Sequence, residues 1–166
     1  AIMPTISLSK KEKVLATFVL VAALTRLLPH PPNFAPITAM ALFSGVFFDK
    51  KWLGLLVPLS AMFLSDLFLG FYTISIFVYL SFFFITFFGR WIKKVHIGSV
   101  LLASTLFFVI SNLGVWLLSY PLTIEGLITC FTLAIPFFGS TIFGDVFYSL
   151  ILFYGFKAVE RKWALA

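Results

Sequence analysis

The sequence predicts an all-α integral membrane protein of six transmembrane helices with both termini on the cytoplasmic side. Three observations carry that expectation: bulk apolarity, the placement of positive charge, and the spacing between its clusters. Mean hydropathy is +1.11, and 61% of residues are hydrophobic against 11% charged; a soluble domain needs far more charge to cover its surface. Apart from Arg26, all of the 12 Lys and Arg residues fall in four clusters, Lys10–Lys13, Lys50/Lys51, Arg90–Lys94 and Lys157–Lys162. Neighbouring clusters are far enough apart for a hairpin of two spans. Three hairpins therefore put every cluster on one face, and cytoplasmic segments are the ones that carry the excess of Lys and Arg.

A helix needs about 20 apolar residues to cross about 30 Å of hydrocarbon, which divides the chain into spans at 13–29, 36–48, 52–69, 73–90, 98–119 and 137–158. The first follows Lys10–Lys13 in the manner of a signal peptide, but no small-x-small cleavage pattern ends it, and a retained span is expected. The second is short and opens at Pro36, a residue suited to the start of a helix and not to its interior. The third and fourth turn around Gly70–Tyr72. Between the fifth and sixth, residues 120–136 are too few to cross and too apolar for a free loop. Bracketed by Pro121 and Pro136, they are expected to form a separate interfacial segment or a lid over the outer end. Small residues four apart at Ala35/Ala39, Ala41/Gly45 and Ser140/Gly144 mark spans two and six as closely packed. The whole of 1–166 reads as one membrane domain.

The net charge of +6 and pI of about 9.6 do not indicate nucleic acid, because the basic residues border apolar spans and form no stripe. The single cysteine, Cys130, excludes an internal disulfide.

An ionisable side chain within hydrocarbon costs about 2.5–3.5 kcal/mol on insertion scales and points to function or to a buried partner. Arg26, Asp66 and Asp145 qualify, all in the half of the membrane away from the basic clusters. Asn112 and Trp116 share a helical face in span five, as do Thr141, Asp145 and Tyr148 in span six. His30 and Asn33 lie in the first outer loop and Tyr72 in the second. Together, Arg26, His30, Asn33, Asp66, Tyr72, Asn112, Trp116 and Asp145 are the expected wall of an outward-facing site for a small polar molecule. The competing reading makes them internal glue, with Arg26 neutralising Asp66 or Asp145. No catalytic motif is present: H-E-x-x-H, G-x-S-x-G, the P-loop and metal-spaced Cys/His clusters are all missing. No enzyme, metal or cofactor is expected. Energy for pumping would have to come from a partner.

The run Leu27-Leu28-Pro29-His30-Pro31-Pro32-Asn33-Phe34-Ala35-Pro36 through Phe43 resembles a family of small, uncharacterised bacterial membrane proteins. Leu64-Ser65-Asp66, Ser111-Asn112-Leu113-Gly114-Val115-Trp116 and Ala134-Ile135-Pro136-Phe137-Phe138-Gly139 through Asp145 extend the resemblance over nearly the whole chain. That family is similar to the substrate-binding S components of energy-coupling-factor transporters. The resemblance implies six helices in the bacterial inner membrane, a small-molecule site on the outer side, and an energising ATPase module as partner. Helix one departs from the Ala-x-x-x-Ala docking face common in S components, since Ala16 is followed by Leu20 and Ala22 by Arg26. The expected function is a substrate-binding membrane subunit for a small, vitamin-like or anionic organic solute. The alternative is a structural subunit of a larger membrane complex.

Overall fold

The computed structural model describes residues 6–165, among which there are six helices: α1 Lys10–Thr25, α2 Ile37–Phe47, α3 Lys51–Leu69, α4 Ser75–Ile92, α5 Ile97–Ser119 and α6 Ile124–Trp163. Four of them, α3 to α6, are long and apolar enough to cross a membrane. At 16 and 11 residues, α1 and α2 rise only about 24 and about 16 Å, short of the hydrocarbon thickness.

The first helix starts and ends earlier than 13–29. A capping box starts it: Ser9 Oγ accepts the Glu12 amide at 3.1 Å, and the Glu12 carboxylate accepts the Ser9 amide at 2.7 Å. It stops at Thr25, before Pro29, Pro31 and Pro32 forbid continuation, so Arg26 caps the helix instead of lying within it.

The larger correction concerns 120–136, which is not a separate interfacial segment. Only residues 120–123 form a turn; α6 then runs for 40 residues straight through Pro136. Where water is scarce, a helix is the main way to satisfy the neighbouring amides, and one missing donor is tolerated. Thr123 begins α6 by accepting the Gly126 amide at 3.1 Å.

At the centre lies α2, which touches all five other helices and buries every residue from Thr38 to Gly45. An apolar helix without a polar face belongs inside. It crosses α4 at Gly45 and Gly89, where the backbones meet: a Cβ on Gly45 would collide with the Thr86 carbonyl oxygen, and one on Gly89 would lie 2.8 Å from the Leu42 carbonyl oxygen. Gly144 does similar work in α6, where a Cβ would lie 3.1 Å from Phe34 Cα. Ala39 and Ala41 are buried, whereas Ala35 and Ser140 are half-buried. A cluster of Phe43, Phe47 and Phe156 with Phe18 joins α2, α6 and α1.

The four basic clusters meet at one end of the bundle. Lys11 pairs with Asp49 at 3.3 Å and Lys50 with Glu12 at 3.1 Å. Arg90 donates to the carbonyls of Phe48 and Asp49, and the Lys10 ammonium lies 5.6 Å from the centre of the Trp163 ring. Elsewhere the exterior is aromatic and aliphatic, with Phe83, Phe84 and Phe87 of α4 and Phe143 of α6 exposed.

Candidate functional site

Three helices end at about one level: α1 stops at Thr25, α2 begins at Ile37, and α3 stops at Leu69. Beside those ends α5 and α6 continue. A hollow of about 270 Å³ results, lined by Arg26 from the end of α1, His30 and Asn33 from the loop, Thr38 from the start of α2, and Thr141 and Asp145 from the middle of α6. A second hollow of about 440 Å³ lies between α5 and α6 and includes Ser111, Asn112, Tyr120 and Cys130 in its wall. The two share Asn33, Phe107 and Thr141.

Asn33 holds the joint between them. It sits in the left-handed region at φ 61°, which Asn enters several-fold more often than most non-glycine residues. That conformation turns the chain after the proline run and sets the side chain at the boundary of both hollows.

Two separate buried polar groups flank the site. In the first, Arg26 Nη1 lies 2.9 Å from Asp66 Oδ1 and also donates to Ser65 Oγ. The Tyr79 hydroxyl donates to Asp66 Oδ2 at 2.6 Å. Asp66 is only 4% exposed and has a full set of partners. All of the described side-chain contacts of Arg26 run through Nη1, so Nη2 and Nε of a guanidinium with five N–H donors have no partner among the described residues. In the second group, the Asp145 carboxyl, 2% exposed, accepts the Ser104 hydroxyl at 2.6 Å, and Thr38 lines the same hollow. It has no cationic partner among the described residues.

Of the residues expected at the site, Arg26, His30, Asn33 and Asp145 line the smaller hollow, and Asn112 lines the larger one with Asn33. Asp66 stands behind Arg26 as its counter-ion. Tyr72 and Trp116 are not brought in. Tyr72 is 67% exposed, in the α3–α4 turn. Trp116, though four residues from Asn112, donates its indole N–H to the Pro121 carbonyl at 3.0 Å, because an indole donor takes the nearest acceptor and the α5–α6 turn supplies one.

The sequence reading left out Thr38, Ser65, Tyr79, Ser104 and Phe107. A signal for Tyr79 existed: Asp66 and Tyr79 lie at similar distances from the α3–α4 turn, so an antiparallel hairpin sets them level. Ser104 gave none, being one hydroxyl in an apolar helix.

Among the described residues no group of three or more His, Cys, Asp or Glu side chains is placed to hold a metal ion. Chemically, the wall offers guanidinium and amide donors on one side and a buried carboxyl with hydroxyls on the other, between apolar surfaces. No curated protein and no solved structure matches the chain. A family profile matches residues 7–166, and the chain belongs to that family, DUF6580, a family of unknown function.

Proposed function

We propose that this chain binds a small solute, as a membrane protein similar in architecture to the S components of energy-coupling-factor transporters. In this reading it crosses the bacterial cytoplasmic membrane six times with both termini inside, α1 and α2 completing their crossings with the flanking turns. The site then opens on the outer side, and an energising ATPase module supplies the work. The gathering of the four basic clusters at one end supports the orientation. One observation carries the functional reading: two adjoining hollows are walled by hydrogen-bonding groups from α1, α2, α5 and α6, at the end of the bundle away from those clusters.

The ion pair refines the ligand. Because Asp66 takes up the charge of Arg26, a carboxylate on the solute would have to compete with Asp66 for it, whereas a neutral carbonyl can accept from the remaining N–H groups without disturbing the pair. Asp145, with no cation opposite, favours a donor such as an amide, amine or hydroxyl. The solute is therefore a polar, carbonyl- and donor-bearing molecule in preference to a simple anion.

The test is mass spectrometry of small molecules released from the purified protein and from two variants, Asp145→Asn and Asn33→Gly. The second keeps the left-handed backbone and removes the amide. A common solute released by the wild type and lost from both variants is the expected result.

A second reading, a structural subunit of a larger complex, draws on the same polar groups, since Arg26, Asp66 and Tyr79 satisfy one another and Ser104 satisfies Asp145. Release of no solute, or of the same set from all three proteins, together with co-purifying membrane chains, would replace the first reading by the second.

A further inference from the structure

α1 and α6 meet where Phe18 packs on Phe156, but toward the α1–α2 loop they stand apart, and His30 there borders both this space and the smaller polar hollow. An apolar groove of about 550 Å³ lies between them, with Phe18, Val21 and Ala22 on one side and Phe147, Ile151 and Leu152 on the other. At the basic end a second hollow of about 260 Å³ includes Lys10, Lys13, Val159 and Trp163 in its wall. Both hollows include Thr17 and Phe18, so the cationic hollow adjoins the apolar groove, with the Phe18 ring, packed on Phe156, at their boundary.

The charges on the first turns of α1 are sorted by face. Lys11 and Glu12 turn toward the α2–α3 connection, where each has an opposite charge, Asp49 for Lys11 and Lys50 for Glu12. Lys10 and Lys13 turn toward the groove and have no carboxylate partner among the described residues. The contrasting α1–α3 groove, lined by Ala16, Leu20, Leu53 and Leu56 among others, has no cation in its wall. The two adjoining α1–α6 hollows thus combine two ammonium groups without a carboxylate partner among the described residues, a tryptophan and an apolar trough.

We infer that the α1–α6 groove holds one anionic phospholipid of the surrounding bilayer, its headgroup phosphate at Lys10 and Lys13 and one acyl chain along Phe18, Ala22 and Leu152. From Lys13 to Thr25, the end of α1, a helical rise gives about 18 Å, enough for a chain that must reach the mid-plane of a core about 30 Å thick. Trp163 lies at the level that aromatic side chains favour at a membrane surface. Unpaired lysines there prefer anionic headgroups by about 1 kcal/mol each, about a 30-fold preference for the pair. The inference does not depend on a solute at the other end of the bundle.

The test is native mass spectrometry of the full chain released from bilayers containing equal amounts of phosphatidylglycerol and phosphatidylcholine with identical acyl chains. The wild type should retain one lipid, predominantly phosphatidylglycerol. Lys10→Gln with Lys13→Gln should abolish the headgroup preference, whereas Lys93→Gln with Lys94→Gln, which removes the same charge at the end of α4, should keep it. Ile151→Trp, at an exposed position on the groove wall, should lower retention of both lipids, and Ala22→Phe should do the same from the other side. Equal loss of preference in the two lysine pairs would reduce the effect to general surface charge and overturn the site. Full retention in both groove-filling variants, or a lipid-free dimer in place of the lipid-bound monomer, would overturn it as well.

Discussion

Replacing Arg26 by Met is expected to destabilise the protein by about 3–5 kcal/mol, the usual cost of removing one member of a buried ion pair. The geometry sets the scale. Arg26 Nη1 and Asp66 Oδ1 are 2.9 Å apart, with side chains 13% and 6% exposed. At an effective dielectric constant near 20 their attraction is about 6 kcal/mol, and the desolvation of two ions, several kcal/mol each, offsets most of it. The pair is thus nearly neutral as a unit, while Asp66 without Arg26 keeps the desolvation and only the Tyr79 hydroxyl as partner. Arg26→Met with Asp66→Asn should recover most of the loss, whereas Arg26→Met with Asp145→Asn should recover little, because Asp145 belongs to the Ser104 group. Cys130, the single cysteine and 2% exposed, provides the assay: its reaction with a thiol reagent during heating reports unfolding. At about 2–4 °C per kcal/mol for a chain of this size, Arg26→Met should lower the midpoint by about 10 °C. A double variant with Asp66→Asn no more stable than Arg26→Met alone would refute the pairing argument.

Three further outcomes are expected. In a Cys130→Ala background, single cysteines at Lys51, Lys94 and Lys162 should be protected from an impermeant thiol reagent in intact cells and one at Asn33 should react; labelling at Lys94 but not at Asn33 would reverse the orientation. Gly45→Ala should cost about 1–3 kcal/mol by overpacking against the Thr86 carbonyl, while Gly139→Ala, with nothing within 4 Å of the added Cβ, should be neutral or slightly stabilising; equal thermal midpoints for the two would contradict the α2–α4 crossing. Glu12, just before the first span, has its carboxyl held below the ordinary carboxylate range, first by the Ser9 amide and further by Lys50, with desolvation opposing. Its folded value lies below its unfolded one, so its contribution is complete above the ordinary range and disappears as pH falls through the folded value. Glu12→Gln should therefore flatten the acid side of the stability profile, and an unchanged profile would exclude Glu12 as its source.

The all-helical fold was legible because apolar stretches and basic clusters report directly on where the chain can sit. Expected spans at 52–69, 73–90 and 98–119 lie within two residues of α3, α4 and α5. What the sequence hid was local. Pro136 and Pro121 look alike as symbols, yet one ends nothing and the other sits in a turn, because a missing amide matters only where water or another acceptor competes for the backbone. Ser9 and Glu12, readable as a capping box, would have moved the start of α1. At the site, the position of each residue within its apolar stretch grouped Arg26, Asp66 and Asp145 away from the basic clusters but left open which carboxylate Arg26 meets. That choice depends on which helices neighbour α1, and Ser65 and Tyr79 complete it from α3 and α4. Trp116 failed because four-residue spacing fixes the face of a helix but not the rotamer of a large side chain.

The position of the site follows from unequal helix lengths. At 40 residues, α6 extends about 60 Å, twice what a bilayer core requires, and it changes partners on the way. Its first part packs antiparallel on α5, where Phe131 and Phe138 meet Phe108; its last part packs on α1 and α2 through Phe156. Asp145 falls between these two regions, at the point where α6 leaves α5 for the short helices. Had α1 and α2 been of spanning length, their ends would have reached past Asp145 and filled the space now lined by Arg26, Asn33 and Thr38. The prolines at 29, 31, 32 and 36 prevent this by stopping α1 and delaying α2. The proline run therefore shapes the hollow without contributing a polar atom from its rings, by keeping two helices short beside two that continue.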